Sequence, residues 1–141
     1  MKQTMLPIRD VLKLKSGNKF HARRTMVDGI KFPSRAQAAR YVELRIEEEK
    51  GFIDSLNAHP MTHKLAVNGG LIGTYTPDFV YRHGVEWVTE DVKGGPVSRD
   101  VPLRLKLMEW CHGIKVQIVK MPDEKVGALL GFAAAEGRID E

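Results

Sequence analysis

Residues 71–93 constrain the fold more tightly than any other part of the chain. Two strand-like runs, Tyr75-Thr76-Pro77-Asp78-Phe79-Val80-Tyr81 and Glu86-Trp87-Val88-Thr89-Glu90-Asp91-Val92-Lys93-Gly94-Gly95, are separated only by Arg82-His83-Gly84-Val85. A connection that short favours an antiparallel hairpin. Side chains alternate along a strand, so Asp91 and Lys93 share one face while Glu90 and Val92 take the other. Pairing the runs brings Asp78 beside Asp91 and Lys93. Two carboxylates and one ammonium at a sheet edge suit a hard divalent cation and a water held against a phosphodiester. By spacing alone the same residues also suit an exposed ion pair, worth under about 1 kcal/mol and serving no chemistry.

The flanking pattern predicts what surrounds this hairpin. Arg24-Thr25-Met26-Val27 and Ile30-Lys31-Phe32 flank Asp28-Gly29, a short hairpin signal. A helix begins at Ser34, with Gln37 completing a Ser-x-x-Gln capping box and Gly51 placed to end it. Glu47, Glu48 and Glu49 read as its wet face. Three strands follow: residues 63–67, then 71–81 after Asn68-Gly69-Gly70, then 86–93. A helix over 101–112, capped by Asp100 and ended by Gly113, leads to a buried strand over 114–119. A last amphipathic helix spans about 123–135, with Val126, Leu129, Leu130 and Ala133 in one stripe. The expected class is α/β (α+β mixed), with a helix–three strands–helix–strand core and a central mixed sheet flanked by helices. The helix before the last strand suits a parallel crossover. Residues 1–18 read as a basic amino-terminal arm or linker and 19–141 as one domain.

Length and composition fit a soluble globular domain: 141 residues, 43% hydrophobic and 28% charged. No apolar run reaches membrane-spanning length, so no membrane partner is expected. The single cysteine, Cys111, excludes an internal disulfide, fits a reducing compartment and reads as a small buried hydrophobe. Trp87 and Trp110 read as core. His59 and His63 have the spacing of a ligand pair but no neighbours to complete a zinc site. Charge is uneven. Residues 1–40 hold ten Lys or Arg against two Asp, although the whole chain is only +4. A basic segment beside a more acidic body suits a phosphate backbone. The candidate DNA contacts are Arg23, Arg24, Lys31, Arg35 and Arg40, with Arg99, Arg104 and Lys106 beyond the hairpin. Gly94 and Gly95, lacking side chains, would let a nucleic-acid backbone approach.

Pro77-Asp78 together with Asp91-Val92-Lys93 resembles the two signature elements of the PD-(D/E)XK nuclease superfamily. From Ser34 to Val119 the chain is similar to a phage-associated, resolvase-like endonuclease family of formerly unknown function. The similarity rests on Ser34-Arg35-Ala36-Gln37-Ala38-Ala39-Arg40-Tyr41-Val42-Glu43-Leu44, Gly51-Phe52-Ile53-Asp54-Ser55-Leu56, His59-Pro60, Leu103-Arg104-Leu105-Lys106-Leu107-Met108-Glu109-Trp110 and Gly113-Ile114-Lys115-Val116. It implies a restriction-endonuclease-like core and a magnesium-dependent endodeoxyribonuclease, with manganese able to substitute. Asp78, Asp91 and the Val92 carbonyl would be the metal ligands, and Lys93 would orient the attacking water. It also implies duplex or branched DNA such as a Holliday junction as substrate, a homodimer, and a phage or prophage protein acting in the bacterial host cytoplasm. One position departs from the family pattern: Gln37 stands where a glutamate is usual on the first helix. An amide oxygen can ligate a cation but is uncharged and a poor base. The alternative it motivates is a non-catalytic DNA-binding or regulatory phage protein that kept the fold; a scaffold without DNA or metal affinity is a third reading.

Overall fold

A computed structural model describes residues 24–140; the proposed arm over 1–18 and Arg23 lie outside them. β1 (Thr25–Val27) and β2 (Ile30–Phe32) meet at Asp28-Gly29, whose φ angles of 53° and 79° are the left-handed pair of a two-residue hairpin. Ser34 then caps α1 (Arg35–Glu49), its Oγ accepting the Gln37 N–H at 3.1 Å. Only that half of the expected capping box forms; the Gln37 side chain points into the cleft described below.

β3 (Asp54–Asn57), β6 (Phe79–His83), β7 (Glu86–Lys93) and β8 (Val116–Lys120) form the central sheet in the order β3-β6-β7-β8. β7 pairs antiparallel with β6 and parallel with β8, so the sheet is mixed. α2 (Val101–His112) makes the crossover between the parallel strands, as the sequence led one to expect. The run over 71–81 is not one strand. It breaks into β5 (Gly70–Tyr75), which pairs with β4 (His63–Val67), and β6 in the central sheet. Pro77 lies in the break: it has no N–H to donate to a ladder, and it restricts Thr76 before it. Two short strands were not expected. β3 edges the central sheet, and β9 (Ile139–Asp140) returns to pair with β1.

α1 and α3 (Asp123–Ala135) cover one face of the sheet around Phe32, Val42, Leu44, Phe79 and Met121. The α3 stripe is as predicted, with Val126, Leu130 and Ala133 buried and Leu129 packed against them. A second, smaller core joins β4 and β5 to α2 through Leu65, Tyr75 and Met108. Both tryptophans depart from expectation: Trp87 is 62% and Trp110 80% exposed. α2 buries only Val101 and Met108, and Trp110 lies about 200° around the helix from Met108. Cys111 is half-buried, its thiol donating to the Ala66 carbonyl at 3.1 Å. Asp100 makes no side-chain cap; it accepts from Ser98 Oγ at 2.7 Å and pairs with Arg104. Glu48 is more than a wet residue, since it pairs with Arg45 and accepts the Leu56 N–H at 3.0 Å, tying α1 to β3.

Gly94 is where the end of β7 meets α1. A Cβ there would lie 2.8 Å from Ala36 Cβ, so the missing side chain serves the packing of the end of β7 against α1. Gly94→Ala is therefore expected to destabilise by about 1–3 kcal/mol through overpacking. Denaturant unfolding checks this, and adding Ala36→Gly should recover part of the loss.

Candidate active site

The hairpin register places the charged residues. Phe79 pairs with Glu90 and Val80 with Thr89, and the Asp78 N–H donates to the Glu90 carbonyl at 2.9 Å. Asp78 thus stands across from Asp91, one step before the first residue of β6. Its Oδ2 accepts the Val92 N–H at 2.7 Å, taking the place of a ladder partner. Lys93 Nζ lies 3.3 Å from Asp91 Oδ1. Alternation turns the Val92 carbonyl to the same side as its N–H, toward Asp78. The Lys93 carbonyl faces the other way and accepts the Met121 N–H at 2.9 Å, which fixes the end of β7.

These groups line a cleft of about 470 Å³ together with Gln37, Thr74, Tyr75, Thr76 and Arg104. Sequence reasoning placed Asp78, Asp91, Val92, Lys93 and Gln37 there and missed Thr74, Tyr75 and Thr76. Arg104, read from sequence as a phosphate contact, reaches the rim from α2. Burial, reinforced by the charge of Asp91, pushes the Asp78 carboxyl up to about 7, against the opposing pull of the Val92 N–H and Lys93. Burial and then the same two carboxylates raise the Tyr75 phenol. The Tyr75 hydroxyl is buried beside the Asp91 carboxylate, with no partner in good hydrogen-bonding geometry among the described residues.

A carboxyl pushed up by burial with a second carboxylate beside it is a pair that a cation would relieve. Among the described residues no group of three or more His, Cys, Asp or Glu converges to hold a metal. The donor set therefore does not form an all-protein cage. It fits magnesium, which takes one or two carboxylates and keeps several waters. Asp78, Asp91 and the Val92 carbonyl are the groups that would hold it, with the Gln37 amide beside them.

The opposite face of β7 carries a different cluster. Glu90, 1% exposed, receives Arg40 Nε at 2.8 Å, Arg40 Nη2 at 2.6 Å and the Tyr81 hydroxyl at 2.5 Å. Arg40 also donates to Glu43, which Lys125 meets at 2.8 Å. Arg40 is thus committed to the core and is not a DNA contact; its partner lies on a strand 50 residues away, beyond the reach of local pattern. Arg24, Lys31, Arg35, Arg99 and Lys106 are all exposed. His63 faces His112 with ring centroids 5.0 Å apart, and His112 Nε2 lies 2.7 Å from the Lys64 carbonyl. A larger hollow of about 620 Å³ lies away from the cleft, and several of its charges pair with each other, Arg138 with Asp28 and Arg45 with Glu48.

The class so defined is a mixed α/β protein with two acids and a lysine gathered where a central hairpin ends. The chain belongs to the family described as Protein of unknown function (DUF1064), which matches residues 17–122. That match takes in α1, the central strands, α2 and β8. No curated protein and no solved structure matches the chain. No helix among the described residues is long and apolar enough to cross a membrane.

Proposed function

We propose that the protein is a magnesium-dependent endodeoxyribonuclease of the PD-(D/E)XK type. The observation that carries this reading is the meeting of Asp78, Asp91 and Lys93 in one cleft, with Asp78 held as an acid close to neutrality. Magnesium, when bound, supplies Lewis-acid polarisation of the phosphoryl oxygen. Asp78 and Asp91 hold that charge in place, and the Val92 N–H fixes the Asp78 carboxylate in one orientation. Lys93 orients the attacking water and offsets charge that develops on the phosphate. Arg104 stands at the rim of the same cleft, where a guanidinium can grip a flanking phosphate. Branched DNA, a dimer and a phage origin come into the proposal from the family resemblance alone.

The test incubates purified protein with a four-way junction, a duplex and a single strand, in magnesium, manganese or EDTA. Metal-dependent cleavage of at least one substrate is expected. No cleavage of any of them in either metal removes the enzyme reading.

Gln37 favours the second reading, DNA binding without efficient cleavage, because it puts a neutral amide in the cleft. That reading predicts salt-sensitive DNA binding that survives both EDTA and loss of Asp91. Under the nuclease reading, Gln37→Glu should cleave at least as fast as the parent, since a third acid adds a charged ligand. A slower Gln37→Glu enzyme with unchanged folding would show that this position is not a missing acid.

A further inference from the structure

Tyr75 is the last residue of β5 and precedes Asp78 by only three positions, yet it belongs to the hairpin core rather than to the central sheet. Leu65 and Met108 pack with its ring in that core, and the residue is 8% exposed. Tyr75 lines the cleft of Asp78, Asp91 and Lys93, and its hydroxyl lies beside the Asp91 carboxylate but has no acceptor in good hydrogen-bonding geometry among the described residues. Burying a hydroxyl without an acceptor is unfavourable, and nearly every buried polar group in a folded protein is satisfied. Phenylalanine would fill the same apolar surroundings without that penalty. An acceptor brought by a ligand removes the anomaly. The ligand has to present oxygen, because the phenol offers an O–H, and it has to suit the Lys93 ammonium and the Arg104 guanidinium that line the same cleft. A phosphodiester satisfies all three donors at once.

We infer that Tyr75 is a further substrate-binding residue, its hydroxyl donating a hydrogen bond to a non-bridging oxygen of the phosphodiester held in this cleft. The inference rests on the nuclease reading for the identity of the substrate, and it assigns to the β4–β5 hairpin a part in the site that the central sheet alone does not supply. The rigid packing of the ring places the donor before the substrate arrives, which is the condition under which such a bond is most effective.

Tyr75→Phe tests it, because the substitution removes one oxygen and leaves the ring. Parent and variant are compared in thermal melting, in cleavage of duplex and four-way-junction DNA with magnesium, and in binding of the same DNAs with calcium in place of magnesium. The expected result is a thermal midpoint equal to or above the parent's, with cleavage slowed about 10–100-fold. A variant that melts like the parent and also cuts like it overturns the inference while leaving the nuclease reading intact. A clearly lowered midpoint overturns it too, by showing that the hydroxyl is bonded inside the protein. If the parent binds DNA but never cuts, the nuclease reading falls and calcium-supported binding decides: Tyr75→Phe binding at least about 10-fold weaker upholds the contact, and equal binding overturns it. A parent that neither binds nor cuts overturns both.

Discussion

Asp91→Asn is expected to slow magnesium-dependent cleavage by at least about 10²–10³-fold and, in the same protein freed of metal, to raise the thermal midpoint above pH 7. The two effects have one cause. Asp78 and Asp91 repel each other in a buried cleft, and that repulsion is what would bind a cation. The Asp78 carboxyl is pushed up to about 7 by burial first and by Asp91 next, whereas an unfolded aspartate titrates near ~3.9. Between those values the folded chain binds more protons than the unfolded one. Stability is therefore greatest below about pH 4 on account of this group, and falls as pH rises toward 7. A shift of that size bounds the loss at about 4 kcal/mol. Removing the Asp91 charge removes one contribution, so the variant should lose less stability between pH 5 and pH 8. Melting curves in EDTA at both pH values, beside cleavage assays in magnesium, measure each half separately. An Asp91→Asn protein with the parent's pH dependence would show that the two carboxyls do not sense each other. Magnesium should stabilise the parent and have little effect on the variant.

The candidate site was legible in the sequence because it is built by the most local rules. Period-two alternation put Asp91 and Lys93 on one face, a short connection, which closes over Gly84-Val85 alone because Arg82 and His83 join the ladder, fixed the hairpin, and Pro77 stands next to the residue that leaves the ladder. Helix ends were legible for similar reasons: Ser34 offers an oxygen to the first turn, and Gly113 takes up the left-handed conformation that ends α2. What the sequence did not yield depends on partners distant in the chain. Leu71 to Tyr81 reads as one strand because nothing in its apolarity shows that β4 claims the first half and β7 the second. Trp110 reads as core because hydrophobicity does not say which side of α2 is covered. Tyr75 belongs with these, since both its burial and the surroundings of its hydroxyl depend on how the hairpin docks against α2.

Arg40 is the sharpest such case, and its loss carries the largest effect expected on stability. Arg40→Ala should destabilise the fold by about 3–5 kcal/mol, because it strands a buried carboxylate rather than because the ion pair is intrinsically strong. Glu90 is 1% exposed and takes both its charged hydrogen bonds from this one guanidinium. Denaturant unfolding of the single variant measures the loss. The triple change Arg40→Met, Glu90→Leu and Tyr81→Phe separates the two explanations. It removes the charge, its partner and the hydroxyl that donates to it, and should recover most of the stability. If the triple variant were as unstable as Arg40→Ala, packing of the arginine stem would be the cause instead. The comparison also separates the roles of the neighbouring acids Glu90 and Asp91. Variants of Glu90 should lose stability first, whereas Asp91→Asn should lose chemistry while keeping its fold. A Glu90→Gln protein as stable as the parent would place the structural burden elsewhere.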